Sequence, residues 1–156
     1  MKKVIMAFAA FTVFAFSAKA QSPKVSLAIN AGIPTEEFYS ISFGADVQAD
    51  FPVAEGTSIT GSVGYQNFSI KEDWGGGSTY VIPLLAGAKF NLGSPQLYGH
   101  AQLGYGFGKG GGGSFSYAPS IGYRFSENLD ASVKYLAFSE DGSTLGTIGV
   151  RLAYNF

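Results

Sequence analysis

The chain of 156 residues contains no cysteine, which excludes disulfide bonds, thiolate catalysis and cysteine-ligated metal sites. Charged residues make up only 13% of the sequence, and a single histidine occurs. We therefore expect neither a metal site nor a cofactor. A small domain without disulfides needs another source of stability, and a closed hydrogen-bonded sheet in lipid is one such source.

The sequence also lacks an apolar run long enough for a membrane-spanning helix, which needs about 20 residues. The apolar run at residues 4–16 follows two lysines and precedes Ala18-Lys19-Ala20. Basic residues, a short apolar run and an A-x-A site form the pattern of a secretory signal peptide. We predict a signal peptide at residues 1–20, cleaved after Ala20, and a mature domain at residues 21–156.

A basic surface is absent as well. The chain has a formal net charge of −1, and loss of the three lysines in residues 1–20 leaves seven basic residues against eleven acidic ones, a charge of −4. Proteins that bind nucleic acids need a basic patch for phosphate contacts. The charge balance therefore predicts no nucleic-acid partner.

Period-two alternation of apolar and polar residues dominates the mature sequence. Eight alternating segments are separated by clusters of Gly, Pro, Asp, Asn and Ser. They predict strands at residues 24–32, 40–51, 57–70, 78–92, 96–108, 114–125, 129–138 and 145–156. Most are long enough to cross the hydrocarbon as tilted strands. The predicted fold class is all-β: an eight-stranded antiparallel up-and-down transmembrane β-barrel.

Aromatic residues on the predicted lipid face fall into two bands, as in barrels with aromatic girdles at both membrane interfaces. One band contains Phe51, Phe90, Tyr123, Phe125, Tyr154 and Phe156. The other contains Phe43, Tyr65, Tyr80, Tyr105, Phe107, Phe115, Tyr117 and Tyr135. The alternative fold is a soluble β-sandwich, in which such aromatics would be scattered.

The connections between the segments alternate in length. Residues 33–39, 71–77, 109–113 and 139–144 form the longer set, and residues 52–56, 93–95 and 126–128 form the shorter set. Outer-membrane barrels keep short turns in the periplasm, which predicts that both termini are periplasmic. The longer set predicts an acidic outward surface with one large aromatic residue; its candidate contact residues are Glu36, Glu37, Glu72, Asp73, Trp74, Glu140 and Asp141.

Two prolines lie inside predicted strands. Pro83 is in the fourth segment and Pro119 in the sixth, and each lacks the N–H that a sheet ladder uses. We expect a β-bulge at each proline.

The same alternation predicts which residues face the lumen. An eight-stranded barrel has an interior that side chains can just fill, so we expect a polar plug rather than a channel. Three carboxylates and four cations, with one histidine, form the predicted polar network: Asp46, Asp50, Lys89, His100, Arg124, Asp130, Lys134 and Arg151.

Two register predictions follow from short turns. If Phe125 lies opposite Leu129, then Arg124 lies opposite Asp130, and we expect an inward cross-strand ion pair. His100 is expected near Lys89, as a hydrogen-bonded core histidine rather than a catalyst, because the sequence places no serine or carboxylate beside it.

The sequence resembles a known group of membrane proteins in three features: the signal peptide, the eight alternating segments and the terminal Tyr154-Asn155-Phe156. The chain resembles small eight-stranded outer-membrane β-barrel proteins of the OmpX and OmpA-barrel type, including the outer-membrane β-barrel domain proteins of Bacteroidota. The resemblance implies a Gram-negative outer membrane, contact with its lipid, and insertion by the barrel-assembly machinery. Tyr154 and Phe156 would be the assembly signal.

Three classes of function are open to such a barrel, because fold does not determine function. The favoured class is a non-enzymatic structural or surface-interaction role, in adhesion or in an envelope complex with a surface or envelope protein partner. The alternatives are a lipid-modifying outer-membrane enzyme and a narrow pore or small-ligand carrier.

Overall fold

The computed structural model describes residues 22–156, so the predicted signal peptide at residues 1–20 lies outside the described residues. Eight strands form: β1 (Lys24–Pro34), β2 (Tyr39–Ala54), β3 (Thr57–Ile70), β4 (Ser78–Asn91), β5 (Leu97–Gly108), β6 (Gly113–Arg124), β7 (Leu129–Glu140) and β8 (Ser143–Asn155). All eight predicted strands are confirmed, with bounds that differ by no more than three residues.

Each strand pairs antiparallel with the next one in the sequence, and β1 pairs with β8, so the sheet closes on itself. This is the predicted up-and-down barrel, and the alternative of a soluble β-sandwich is wrong. Closure leaves no long unpaired strand edge. Within residues 22–156, no helix is both long enough and apolar enough to cross a membrane.

The barrel has two distinct ends. The terminal end carries the first and last described residues, Ser22 and Phe156, and the connections at residues 55–56, 92–96 and 125–128. The loop end carries the connections at residues 35–38, 71–77, 109–112 and 141–142. The predicted long connection at residues 139–144 is wrong, because Glu140 pairs with Ser143 and leaves a two-residue turn. Asp141 and Gly142 have φ values of 48° and 86°, as a tight hairpin turn of this kind requires. Loop length therefore distinguishes the ends less than the sequence suggested.

The outward face of the barrel is apolar. Its middle carries exposed aliphatic side chains such as Ile29, Leu103 and Val133, and monomeric soluble proteins rarely expose apolar patches of this extent. Aromatic side chains lie outward near both ends. Near the loop end, Tyr65 stacks on Tyr80 with ring centroids 5.4 Å apart. The outward surface therefore fits a hydrocarbon layer bounded by two interfaces.

The two prolines do not produce bulges, so that expectation is wrong. Pro83 pairs with Gly106 in an unbroken β4–β5 register. The β3–β4 ladder is interrupted beside Pro83, and the β6–β7 ladder is interrupted beside Pro119. Each ladder resumes in the same register. A missing N–H removes a local hydrogen bond without requiring an inserted residue. The bulges lie in the β2–β3 pair, near Tyr39 and Pro52.

The lumen is filled by two different kinds of side chain. Its loop-end half contains a packed apolar cluster, called here the apolar plug, made of Phe68, Val81, Leu85, Ala118, Leu136 and Phe138. Its middle and terminal-end half contain buried charged and polar groups. The expectation of a polar plug throughout is therefore wrong for the loop-end half.

Candidate functional site

The best-defined ion pair in the lumen joins β2 to β8. Arg151 Nη2 donates to Asp46 Oδ1 at 2.7 Å, and Arg151 Nε donates to both carboxylate oxygens at 3.1 and 3.2 Å. Asn30 on β1 donates to Asp46 Oδ2 at 2.9 Å. Both charged side chains are buried. This bidentate geometry is the strong form of a carboxylate–guanidinium contact.

A second ion pair lies nearer the terminal end. Lys89 Nζ on β4 contacts Asp50 Oδ2 on β2 at 2.5 Å. Gln48 donates to the other oxygen of the same carboxylate at 2.6 Å. The pair therefore links strands that are not neighbours in the sheet, across the interior of the barrel.

Asp130 is bound by neutral donors rather than by Arg124. Tyr98 Oη donates to Asp130 Oδ1 at 2.6 Å and Asn155 to Oδ2 at 2.9 Å, while Arg151 Nη1 lies 4.0 Å away. Tyr98 is fully buried and passes over Gly122, where a Cβ atom would clash with its ring.

The expected Arg124–Asp130 ion pair is wrong, although the predicted register is confirmed. The Arg124 guanidinium lies over the Tyr98 ring, 4.8 Å from its centroid. It donates to Asn91 Oδ1 at 2.9 Å and to the carbonyl oxygen of Pro95. The long side chain thus reaches the turn at the terminal end, where backbone oxygens compete with the carboxylate.

His100 is buried in the polar half of the lumen and lies opposite Lys89 in the β4–β5 register. Its Nε2 lies 2.8 Å from Thr60 Oγ1. A threonine hydroxyl satisfies the ring but supplies no charged partner for acid–base catalysis. Among the described residues, no group of three His, Cys, Asp or Glu side chains could hold a metal ion.

Lys134, like Arg124, has no close carboxylate, since no Asp or Glu oxygen of residues 22–156 lies within 4 Å of its side-chain nitrogen. It borders the apolar plug at Leu136 and lines a cavity of about 20 Å³ with Gln66. A cavity of this volume accommodates one water molecule. Seven of the eight predicted network residues thus form hydrogen bonds or ion pairs, Arg124 only with Asn91 and Pro95. Lys134 has no carboxylate partner among residues 22–156.

The loop end carries an exposed aromatic feature that is packed onto the barrel. Trp74 is 64% exposed and meets Phe38 edge to face at 5.6 Å; Phe38 contacts Tyr39, and Tyr39 contacts Phe68 of the apolar plug. Lys71 N donates to the Phe38 carbonyl at 2.9 Å, which joins the two loops. Sequence reasoning missed Phe38, since only contact across two loops reveals its pairing with Trp74.

The predicted acidic residues surround this feature or lie across the loop end from it. Glu36 and Glu37 are in the connection that contains Phe38, and Glu72 and Asp73 precede Trp74 in a short 3₁₀ turn, while Glu140 and Asp141 form the β7–β8 hairpin. The connections at this end, together with Glu140 at the end of β7, carry six carboxylates and two lysines, a net charge of −4. The surface is therefore acidic.

The residues of the predicted assembly signal lie at the terminal end. Tyr154 and Phe156 are exposed on the outward face, with ring centroids 5.2 Å apart. Phe156 N donates to the Val25 carbonyl at 2.9 Å, which ties the chain end to β1.

No protein-family model matches the chain, and no curated protein matches it by sequence. Solved structures do match. Ail of Yersinia pestis, solved in complex with the heparin analogue sucrose octasulfate, has a TM-score of 0.63 and 17% identity over 86% of this chain and 97% of its own. The N-terminal β-barrel domain of Pseudomonas aeruginosa OprF has a TM-score of 0.60 and 12% identity, over 88% of this chain and 100% of its own. A de novo designed transmembrane β-barrel has a TM-score of 0.56 and 17% identity, over 88% of this chain and 99% of its own. The chain therefore has the fold of small eight-stranded outer-membrane barrels.

Proposed function

We propose that this chain is an integral outer-membrane β-barrel of a Gram-negative bacterium with a surface-interaction role, in adhesion or in an envelope complex. The observation that carries the proposal is the exposed Trp74–Phe38 pair, held by Tyr39 against Phe68 of the apolar plug. Rigid exposed aromatics lose little conformational entropy on binding, and tryptophan is enriched in interface hot spots. The chemistry available to a partner is therefore at the loop end rather than in the lumen.

The acidic loop end favours a basic partner. Ail was solved with a heparin analogue, which is a polyanion. In this chain six carboxylates face two lysines at the loop end, so a polyanion would be repelled. We propose a protein partner with a basic patch around an apolar pocket that accepts Trp74.

The proposal includes an orientation, with the loop end outside the cell and both termini in the periplasm. It also includes cleavage after Ala20 and insertion by the barrel-assembly machinery through Tyr154 and Phe156. Because the chain has no native cysteine, Asp73→Cys and Glu127→Cys each create a single label site at opposite ends. We expect a membrane-impermeant maleimide to label only Asp73→Cys on intact cells. Labelling of Glu127→Cys alone would reverse the orientation.

The partner is tested by crosslinking on cells and purification from the native outer membrane. We expect a stoichiometric basic partner with the parent chain and with Leu92→Ser, which removes an exposed residue at the terminal end. We expect its loss with Trp74→Ser. Recovery of the barrel alone from the parent, or equal recovery from both variants, would contradict the proposal.

The two alternative functions have direct tests. The apolar plug and the ion pairs across the interior argue against a pore, so we expect no steady conductance in planar bilayers. The enclosed position of His100 beside Thr60 argues against lipid chemistry, so we expect an unchanged mass spectrum of lipid A on expression. A steady conductance or a new lipid A species would assign the barrel to the corresponding class.

A further inference from the structure

A cavity of about 520 Å³ opens at the loop end, between the β5–β6 and β7–β8 hairpins. It is called here the loop-end cup. Small-molecule sites in proteins have volumes of about 300–1,000 Å³, with apolar walls and a few polar groups that orient the ligand. The cup has both the size and this division of its lining.

The floor of the cup is the upper surface of the apolar plug. Phe138 and Val81 are almost completely buried, and Leu145 packs against the same cluster. Phe138 meets Phe68 edge to face at 6.1 Å, so the floor is held by packing beneath it. An apolar ring or short aliphatic body seated here would remove its own apolar surface and the exposed part of Leu145 from water.

One wall of the cup lacks side chains because it is made of Gly108, Gly110 and Gly112. A Cβ atom at Gly108 or Gly110 would meet no atom of the described residues within 4 Å. In this segment only Gly111 has a positive φ. Neither packing within the protein nor backbone conformation therefore requires glycine at residues 108 and 110. Their effect is to leave the cup unfilled.

The rim of the cup bears Glu140, Asp141 and Lys109, two carboxylates and one ammonium group. No ion pair within 4 Å joins them in the part of the chain that the structure describes. The Glu140 carboxylate lies beside the glycine wall, since its Oε1 is 3.3 Å from an ideal Cβ position at Gly112. The acidic loop end reinforces this excess of negative charge.

We propose that the loop-end cup binds small cationic amphiphiles, with an apolar body on Phe138 and Val81 and an ammonium group at Glu140 and Asp141. The site is separate from the Trp74 surface, and its occupancy does not depend on a protein partner. Among ligands with the same apolar body, an anion is repelled by the carboxylates of the rim. A neutral molecule makes the apolar contact with the floor but no ion pair with the rim.

The test uses the full barrel in phosphatidylcholine nanodiscs, with empty nanodiscs as the blank. Saturation-transfer NMR compares 2-phenylethylamine, neutral 2-phenylethanol and anionic 3-phenylpropanoate. We expect the amine to bind best, and the neutral and anionic probes to bind progressively more weakly. Binding that is equal in empty nanodiscs, or an anion that binds as well as the amine, would overturn the proposal.

Two variants locate the site, each with a matched control. The side chain introduced by Gly108→Leu would point into the cup, so this variant should abolish binding of the amine and of the alcohol. The side chain introduced by Gly113→Leu would point outward from the next strand, so this control should bind as the parent does. Glu140→Gln should weaken only the amine, by about two- to fivefold, as expected for one exposed ion pair. Glu72→Gln, outside the cup, should leave binding unchanged. Parent-like binding by Gly108→Leu would overturn the assignment, and an unfolding midpoint equal to that of the parent shows that each variant is folded.

Discussion

The two halves of the lumen hold the barrel together by different means. In the polar half, Asp46 binds Arg151 and Asp50 binds Lys89, so each of these carboxylates has one close partner of opposite charge. In the loop-end half, the apolar plug packs Phe68 against Phe138 without directional bonds. Loss of a polar residue therefore leaves a buried charge or hydrogen-bonding group unpaired, whereas loss of a plug residue leaves a cavity.

The largest effect should come from Arg151→Leu in the polar half. Asp46 would remain buried without its bidentate partner, which costs about 3–5 kcal/mol of unfolding free energy. Urea-induced unfolding from lipid vesicles measures the loss. The double variant with Asp46→Leu should recover part of it, because no lone charge remains. A loss below about 1 kcal/mol for Arg151→Leu would show that water relieves the charge and that the halves differ less than their contacts suggest.

The next effect should come from Phe68→Ala in the apolar plug. Phe68 has no exposed surface, so truncation leaves a cavity and costs about 3 kcal/mol. Phe68→Leu keeps most of the volume and should cost less than about 1.5 kcal/mol. The same unfolding assay compares them. Equal losses for the two variants would contradict a packed plug.

A smaller effect is expected for Thr60→Val, which preserves shape and removes one hydrogen bond. His100 Nε2 would lose its partner at 2.8 Å, at a cost of about 1–2 kcal/mol. Thr60→Ser keeps the hydroxyl group and should retain most of the stability. If Thr60→Val were as stable as the parent, the hydrogen bond would contribute nothing beyond packing.

The smallest effect is expected for Arg124→Ala, at about 1 kcal/mol. Arg124 is partly exposed and stacks on Tyr98 rather than pairing with Asp130. Arg124→Met keeps the apolar stem over the ring and should cost less. Unfolding in vesicles that shows a loss above about 3 kcal/mol would indicate an ion pair with Asp130 after all.

Alternation and turn chemistry made most of the fold predictable. Period two assigned each side chain to the lumen or to the outer face, and the short turn after Phe125 set Arg124 opposite Asp130, as observed. The two-residue hairpin at Asp141-Gly142 was also readable, because Asp-Gly between alternating segments is a hairpin signal. The polar residues on both sides of this dipeptide favour a longer loop, and the hairpin signal outweighs them.

The apolar plug was missed although its sequence signal was present. Phe68, Leu85 and Phe138 share the parity of polar luminal residues on their own strands, yet only the polar residues were assigned inward. Gly106 gives a second clue, since a Cβ atom there would clash with the Phe138 ring. A large aromatic opposite a luminal glycine indicates packing that alternation by itself does not reveal.

By itself, the sequence determined the strands, their order, the register across short turns and the inward or outward side of each residue. These depend on local geometry, because successive side chains in a strand point to opposite faces. Only the tertiary structure decided that Arg151 rather than Arg124 binds a carboxylate, that Phe38 supports Trp74, and that a cup opens above Phe138. Those outcomes depend on how far long side chains reach across a closed interior and on contacts between loops distant in sequence, and backbone register constrains neither.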